Sequence, residues 1–366
     1  MQSNGERPGF RIATSGFGQT VPDWEAMPLL LRVVQPEESD EFDGFVGRHV
    51  HGDPLQGWGF ADLQAGRGRA PHRFYLMEQG RPIGSLSLIA VDLGRLGLLL
   101  YAPRGPVLDP GQRVAWRSLA QELRERFPQA FAFFCAPRLD DRLPRPPGYL
   151  QRASQPVPPR MPRSTVEIPL SGDPESDFAR VQRRCRVRVR RASAHGVRVR
   201  MAGLDELGAL LALWNRSTWE VPGIAATPSD LAHVVKAFLT RGQAQVFLAE
   251  ARGQVRAGAV ALRLGRHALC QHLGQDASGR YRQAAYAAQW AAIAWAETQG
   301  AERCDITGFR APEDASLNDL ARRWGGVERR YALLEVPLRI GPYLGYRVLP
   351  LGLGGARMAM EAAQAH

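Results

Sequence analysis

The segment that follows the hydrophobic run LGLLL holds residue types suited to binding an anion. Tyr101 comes directly after the run, and Arg104, Gly105 and Pro106 follow in a predicted turn. Glycine lets a backbone approach a ligand closely, proline fixes the turn, and an arginine can bind a phosphate through two parallel hydrogen bonds. The segment therefore indicates a binding turn for an anionic group, and an ordinary Gly-Pro turn with a solvated arginine is the alternative.

The stretch FARVQRRCRVRVRRASAHG, which begins at Phe178, is predicted to form one helix that is basic around most of its circumference. Its arginines are Arg180, Arg183, Arg184, Arg186, Arg188, Arg190 and Arg191. Like charges one turn apart destabilise a helix that has no anionic partner. We therefore expect these arginines to contact RNA or another phosphate-bearing partner, in preference to a merely solvated helix.

The 366-residue chain is strongly basic, and its formal charge of +11 comes almost wholly from arginine, since Lys236 is its only lysine. A basic surface attracts nucleic acid, anionic lipid head groups or phosphorylated small molecules, and charge alone does not choose among them. Such arginine usage also fits a GC-rich genome. The four cysteines show no CxxC spacing, so buried free thiols are expected instead of a metal site or a disulfide framework.

The sequence shows no pattern typical of a membrane span or of a secretory signal peptide. No run of about twenty apolar residues occurs, and the first residues have neither an apolar core nor a small-residue cleavage site. The sequence therefore predicts a cytoplasmic protein with a disordered tail over residues 1–27.

Two runs of elements, separated by a proline-rich stretch, define the expected organisation. The first has a strand, a helix after Pro36, a hairpin turning at Gln79 and Gly80, a further strand, an amphipathic helix over 112–127 and the apolar strand FAFFCAP, which is expected to be fully covered. Residues 140–163 hold seven prolines and are predicted to be a linker. The second run repeats this order, which predicts an α/β (α+β) fold with two modules in tandem.

Five segments, in this order and at these separations, resemble the FemABX family of aminoacyltransferases in the GNAT superfamily. They are LQGWGFADLQ (55–64), LYAPRGPVLD (100–109), RRASAHGVRV (190–199), YAAQWAAIAWAETQGAERCDITGF (286–309) and DLARRWGG (319–326). The second is the most specific because it resembles the YxPRGP signature of that family. The resemblance implies two GNAT-like lobes with a cleft between them, of the type that lacks a long helical arm.

The same resemblance implies a division of the chain into functional parts. Residues 28–160 would form the acceptor lobe, residues 161–335 the aminoacyl-tRNA lobe, and residues 336–366 a segment that returns to the first lobe.

The activity implied is transfer of an amino acid from aminoacyl-tRNA to the amine of a peptidoglycan precursor stem peptide, a step of cell wall biogenesis that forms interpeptide bridges and maintains cell shape. The partners would be aminoacyl-tRNA and a UDP-muramyl peptide or a lipid-linked precursor. A lipid-linked acceptor would place the protein peripherally at the inner membrane face. No cofactor is implied.

The mechanism implied is direct attack by the amine on the ester. An ester is already activated, so positioning of the reactants and stabilisation of the oxyanion can supply most of the rate. No GxSxG or Cys/His nucleophile motif is present, which agrees with direct attack.

The resemblance also assigns site residues. On the acceptor side they are Gln56, Trp58, Arg67, Tyr101, Arg104 and Gly105. On the donor and tRNA side they are Arg183, Arg184, His272, Tyr286, Phe309 and Arg323, and the catalytic candidate, for the oxyanion, is Arg322. Ordinary structural roles compete with these: Trp58 can anchor its loop to the core, and His272 can be a structural strand residue. Asp305, in a segment resembling the family's D-x-x-G, can equally cap or turn the chain.

The sequence departs from the family at several functional positions. The usual lysine is Gln64, an Arg-Pro pair is Thr227-Pro228, an Asp-Pro pair is Ala136-Pro137, and a Phe-Lys pair is Leu320-Ala321. The nearby cations that we expect to replace the missing ones are Arg67, Arg69 and Arg73.

Two other functions compete with this one. An N-acyltransferase using acyl-CoA on a natural product, lipid or protein is disfavoured, because ASGRYRQAAYAAQW has no R/QxxGxG/A loop before its helix. A non-catalytic RNA- or envelope-binding relative is the other alternative, since a fold does not guarantee an activity.

Overall fold

The computed structural model describes residues 29–65, 69–108, 116–138, 164–216, 228–306, 322–331 and 334–348. The predicted tail over residues 1–27 and the whole of the predicted linker over residues 140–163 lie outside these ranges.

The first lobe contains six strands and three helices in its described part. In chain order they are β1 (Leu30–Val33), α1 (Ser39–Arg48), α2 (Trp58–Ala65), β2 (Ala70–Glu78), β3 (Arg81–Asp92), β4 (Leu98–Ala102), β5 (Val107–Leu108), α3 (Trp116–Arg126) and β6 (Ala130–Cys135).

The second lobe follows, and the chain then returns to the first. Its elements are β7 (Ser164–Pro169), α4 (Pro174–Arg180), α5 (Arg183–Ala194), β8 (Arg198–Ala202), α6 (Leu207–Arg216), α7 (Pro228–Leu239), β9 (Ala244–Ala251), β10 (Gln254–Leu264), β11 (His267–Gln275), α8 (Ala277–Tyr281), α9 (Ala284–Thr298), β12 (Arg303–Asp305) and β13 (Val327–Arg330). The returning elements are β14 (Leu334–Pro337) and α10 (Ile340–Val348).

The sheet of the first lobe has the order β1-β2-β3-β4-β6-β14, with β5 paired beside β3. The β4–β6 pair is parallel, and the other described pairs are antiparallel. Gln79 and Gly80 both have positive φ, as the tight turn of the predicted β2–β3 hairpin requires. All residues of β6 are buried between β4 and β14, which confirms that FAFFCAP is a covered strand.

The sheet of the second lobe repeats this plan, with the order β13-β7-β12-β11-β10-β9-β8. Its parallel pair, β11 and β12, corresponds to β4 and β6 of the first lobe. The prediction of two mixed α/β modules in tandem is therefore confirmed.

The parallel strands of the second lobe pair over a short distance. The register runs from His267 with Arg303 to Leu269 with Asp305, whereas β11 continues to Gln275. Gln289 of α9 donates an amide hydrogen bond to Cys270 O at 3.0 Å just beyond the last pair. The carboxyl-terminal half of β11 thus lacks a parallel neighbour in the described part of the chain, which opens the sheet at this end.

The predicted boundary at residue 335 needs a correction. Leu334 pairs with Cys135 of β6 in the first sheet, although the sequence places residues 161–335 in the second lobe. Leu334 and Val336 are both buried in the core beside β6 and helix α3. The return to the first lobe therefore begins before the predicted position.

The single basic helix predicted from Phe178 onward is wrong, because the structure divides it into α4 and α5. Val181 and Gln182 between them have extended ψ angles of 139° and 142°. The extended backbone buries the Val181 side chain in the core beside Cys185 and leaves Gln182 N–H to donate to Arg323 O at 3.0 Å. Tertiary packing therefore overrides the helical pattern here.

None of the helices in the described ranges is long and apolar enough to cross a membrane. Within those ranges, no three His, Cys, Asp or Glu side chains are grouped closely enough to hold a metal ion.

Candidate functional site

A buried ion pair joins the two lobes at the carboxyl end of β12. Arg104 Nη2 lies 3.1 Å from Asp305 Oδ2, and the two residues are 3% and 0% exposed. Thr165 Oγ1 donates to the same carboxylate oxygen at 2.7 Å. The Arg104 guanidinium also stacks 3.9 Å from the centre of the Tyr331 ring. Arg104 therefore holds the end of the first lobe's β4 against the sheet of the second lobe.

A second set of buried ionisable side chains extends this contact. His267, 1% exposed, has Nδ1 at 3.1 Å from Asp53 Oδ2 and Nε2 at 3.9 Å from Glu167 Oε1. Arg138 Nη2 lies 2.7 Å from Glu167 Oε2. Arg303 Nη2 donates to the backbone oxygen of the residue before Asp53 at 2.9 Å, and burial lowers the pKa of Arg303 to about 10. We call this network, together with the Arg104 pair, the interlobe charge cluster.

The position of Arg104 in the interlobe charge cluster differs from the role predicted for it. The sequence predicts it as a contact for the acceptor's phosphates. Its guanidinium is instead buried between Asp305 and Tyr331, both of the second lobe. A buried guanidinium paired with a carboxylate is no longer exposed to an incoming anion, so the acceptor contact is replaced by a role in joining the lobes.

Gln56 and Gly105 form a tightly fitted pair below the Arg104 turn. Gln56 is 0% exposed, and its amide nitrogen donates to Ser87 O at 3.0 Å and to Pro103 O at 2.6 Å. Its amide oxygen accepts from Ser87 N at 2.9 Å. A Cβ on Gly105 would lie 2.4 Å from that amide, so only glycine fits. Both residues brace the turn, which corrects their predicted contact with the acceptor.

Replacing Gln56 by alanine is expected to lower the free energy of unfolding by about 2–4 kcal/mol, because buried backbone groups of Ser87 and Pro103 lose their partner. Urea denaturation measures the change. The control is Gln121→Ala on the exposed face of α3, for which a change within about 0.5 kcal/mol is expected. An equal effect of both substitutions would contradict the bracing role.

Trp58 anchors helix α2 to the core, as the structural alternative proposed. Its ring packs edge-on against Phe42, and the Arg73 guanidinium lies 3.6 Å from its ring centre. Arg73 also pairs with Asp62 at 2.5 Å. Arg73 is thus engaged within the first lobe and does not replace a missing phosphate contact.

The other predicted acceptor residues lie as follows. Tyr101 is buried in the core beside Leu55 and Phe60, and burial raises its pKa well above the usual range. Arg69 donates to Gln64 Oε1 at 2.8 Å. The other predicted acceptor residue, number 67, lies outside the described residues.

Arginines and aromatic rings meet on the second lobe where α5, α9 and the segment before β13 come together. We call this region the arginine–aromatic surface. Trp324 stacks on Trp290 at 6.2 Å and on Tyr286 at 6.0 Å. The Arg188 guanidinium lies 4.8 Å above the Tyr286 ring and donates to its hydroxyl. Arg190 lies 5.8 Å from the Phe178 ring.

The predicted donor-side arginines belong to this surface. Arg183 and Arg184 are exposed on the first turn of α5, next to the point where Gln182 N–H contacts the backbone oxygen of Arg323. The structure thus brings them into one region with Tyr286. His272 lies on β11, where its backbone pairs with Ala259, but its side chain lies outside what the structure describes. Phe309 also lies outside the described residues.

Arg322 does not occupy a catalytic position. Its side chain is half exposed and pairs with Glu328 at 3.2 Å on the surface. An oxyanion donor works in a site from which water is excluded, where its charge is not screened. The position of Arg322 therefore does not support its predicted oxyanion role, which stays a prediction.

Several residues of the interlobe charge cluster were not predicted from the sequence to be functional. They are Asp53, Arg138, Glu167, His267 and Arg303. One signal was available: Arg303 and Asp305 alternate along a short strand and so share one face. Their partners lie far away in the chain and carry no local signal.

Several backbone N–H groups of the segment before α9 are bonded within the chain. Its backbone N–H bonds run from Gly279 to Asp276 Oδ1 (2.6 Å), Arg280 to Asp276 O (3.0 Å), Arg282 to Ser278 O (3.0 Å), Gln283 to Arg280 O (3.2 Å) and Tyr286 to Gln283 O (3.1 Å). A Cβ on Gly279 would lie 2.3 Å from Arg256 O of β10. These donors are used within the chain, and the segment is packed closely on the sheet.

Comparison with known proteins gives one family match and several structural likenesses. The model described as acetyltransferase (GNAT) domain matches residues 178–314, all in the second lobe. Among curated proteins, none matches this chain. The crystal structure of FemX is similar over 87% of this chain and 99% of its own, with 17% identity and a TM-score of 0.72.

Two further solved structures are similar at lower scores. A conserved protein of unknown function from Bacteroides thetaiotaomicron has 12% identity and a TM-score of 0.52, over 84% of this chain and 99% of its own. A tandem GNAT protein from the clavulanic acid biosynthesis pathway has 13% identity and a TM-score of 0.49, over 85% and 98%. The likeness to FemX shows the two-lobed fold, and residues 178–314 are similar to an acetyltransferase (GNAT) domain.

Proposed function

We propose that the protein is an acyltransferase that moves an amino acid from aminoacyl-tRNA to the amine of a peptidoglycan precursor stem peptide. The observation that carries the proposal is the arginine–aromatic surface on the lobe that contains the GNAT domain. Helix α9 begins shortly after β11 ends, so Tyr286 lies near the end of the sheet where β11 and β12 part. A donor bound on this surface would present its acyl group to that opening.

A nucleic-acid donor suits the chemistry of the surface. Arginine contacts phosphates with paired hydrogen bonds, and aromatic rings stack on unpaired bases irrespective of sequence. Trp324 is buried, so the half-buried rings of Tyr286 and Trp290 are the ones on this surface that an unpaired base could reach. The 3′ end of an aminoacyl-tRNA offers both groups, together with the activated ester. The seven arginines of α4 and α5 have few acidic partners, among them Asp177 for Arg180.

Acyl-CoA is the second candidate donor because the matching family model is that of acetyltransferases. A pyrophosphate needs free backbone N–H groups at a helix start. In the segment before α9 the N–H groups of Gly279, Arg280 and Arg282 are used within the chain, which leaves fewer donors for a pyrophosphate and favours tRNA over acyl-CoA.

The proposed reaction is direct attack of the acceptor amine on the aminoacyl ester. The bond between the amine nitrogen and the carbonyl carbon forms, and the bond from that carbon to the ester oxygen breaks. The proton that the amine loses ends on this oxygen, which leaves as a hydroxyl of the tRNA. Backbone N–H groups in the part of β11 beyond Leu269 are candidates to bind the oxyanion, since this part has no parallel neighbour among the described residues. Gln56 is hydrogen-bonded and Arg104 is ion-paired within the protein. Other groups of the first lobe would therefore bind the acceptor.

Separate incubations test the proposal. The purified protein is given a charged tRNA pool or acyl-CoA, with UDP-muramyl pentapeptide or its lipid-linked form, and the acceptor is examined by mass spectrometry. Mass gain with tRNA alone supports the proposal, gain with acyl-CoA supports the second candidate, and no gain with any donor supports a non-catalytic relative.

Binding of tRNA is expected to weaken steeply with salt. Five arginines of α5 are exposed: Arg183, Arg184, Arg188, Arg190 and Arg191. Neutralising about five phosphates should lower affinity about 100-fold or more between about 50 and about 200 mM salt. Fluorescence anisotropy with labelled tRNA measures this dependence. A flat response would show that these arginines do not contact the RNA backbone.

A further inference from the structure

A second cleft lies where α1 of the first lobe meets the β10–β11 turn of the second. We call it the hairpin cleft, and its volume is about 800 Å3. Gly47 and Gly265 line it, and Arg266 N–H donates to Gly47 O at 3.1 Å. A Cβ on Gly265 would lie 2.0 Å from the same oxygen. Both lobes therefore bound the cleft, and their backbones meet there without intervening side chains.

The carboxylates that line the hairpin cleft are already paired. The pairs are Asp40 with Arg241 (2.7 Å), Asp43 with Arg241 (3.1 Å) and Gln243 (2.7 Å), and Glu302 with Arg266 (2.5 Å). Their charge is thus largely taken up by Arg241 and Arg266.

Two other arginines of the cleft lack such a partner. In the described part of the chain, no carboxylate lies within ion-pair distance of Arg48 or Arg263, although both line the cleft. Arg263 donates to Gly265 O at 3.1 Å, but its Nε is buried without a hydrogen-bond partner. Burial lowers its pKa because no opposing charge offsets the loss of water. The cleft therefore has positive charge that a bound anion would neutralise.

The Arg48 guanidinium also lies on the wall of the cleft. A Cβ on Gly44 would lie 3.3 Å from Arg48 Nη1, so the missing side chain at Gly44 leaves room for it. Two cations that have no carboxylate partner among the described residues thus line a space of small-molecule size.

We infer that the hairpin cleft binds a small molecule that carries a phosphate group, with Arg48 and Arg263 contacting the phosphate. Arginine is the side chain best matched to phosphate geometry.

This site is distinct from the proposed transfer site. The hairpin cleft lies at the start of β11, beside the β10–β11 turn, whereas the part of β11 that has no parallel neighbour among the described residues runs from Cys270 to the carboxyl end of the strand at Gln275. Because both lobes contribute residues, a ligand in this cleft would also stabilise their contact by mass action.

Isothermal titration calorimetry on the full chain tests the inference, with glycerol 3-phosphate, inorganic phosphate and glycerol as probes. Glycerol 3-phosphate is expected to bind, and Arg263→Gln and the exposed Arg48→Gln are each expected to weaken it about tenfold or more, as loss of a charged hydrogen bond does. Glycerol should not bind. Equal affinity for inorganic phosphate would identify free phosphate as the occupant of the same site.

The matched control is Arg81→Gln, which removes one exposed charge at the β2–β3 turn and should leave the dissociation constant unchanged. Thermal melting checks that each variant is folded. Absence of binding by both phosphate probes at millimolar concentration would overturn the inference. So would unchanged binding in a folded Arg263→Gln or Arg48→Gln variant.

Discussion

Replacing Arg104 by methionine is expected to lower the free energy of unfolding by about 3–5 kcal/mol, because Asp305 would be left as a buried carboxylate without its cation. Thr165 would remain as a neutral hydrogen-bond donor to that carboxylate, which does not replace a charge. The methionine retains apolar contact with the Tyr331 ring, so most of the loss should be electrostatic. Urea denaturation followed by tryptophan fluorescence measures the change.

The control for this substitution is Arg81→Met, an exposed arginine for which a change within about 0.5 kcal/mol is expected. A double variant, Arg104→Met with Asp305→Asn, removes both charges and should recover part of the loss, because no unpaired charge is left buried. If Arg104→Met behaves like the surface control, the ion pair does not hold the lobes together.

Replacing Arg183, Arg184 and Arg188 together by glutamine is expected to lower kcat/KM for aminoacyl-tRNA by about tenfold to 100-fold, since three phosphate contacts are lost. The slope of log affinity against log salt should become shallower by about two units. Transfer assays over a salt series measure both quantities. This prediction rests on the proposed function.

The matched control removes the same charge elsewhere, at the exposed residues Arg81, Arg95 and Arg252. The control variant should keep most of the activity and the salt slope. A uniform loss in both triple variants would show that net charge matters and that the arginine–aromatic surface has no special role. Thermal melting must show that both variants are folded.

Local patterns were sufficient to predict most of the elements. The Gln79–Gly80 turn and the unbroken apolar strand FAFFCAP both carry their structural signal in adjacent residues. The tandem order of two modules followed from the repeated succession of strands and helices. The break between α4 and α5 had no such signal, because Val181 becomes extended to reach a core built by distant elements.

The candidate site was harder to predict because its contacts join distant parts of the chain. Arg104 and Asp305 were each singled out, but nothing in their neighbourhoods indicates that they pair across 201 positions. His267 and Asp53 likewise belong to different lobes. Gln56 was predicted to contact a ligand, and the structure shows that its amide is used by backbone groups of the first lobe. The sequence thus singled out individual residues such as Arg104 and Asp305, but it did not indicate which side chains they contact.

A competition between donors tests the central claim most directly. The protein receives charged tRNA and acyl-CoA together, with acyl groups of different mass, and one muramyl peptide acceptor. We predict that the acceptor gains only the aminoacyl mass, and that ribonuclease treatment of the donor mixture abolishes the gain. An acceptor that gains the acyl group of acyl-CoA, with or without ribonuclease, would contradict the proposed use of aminoacyl-tRNA.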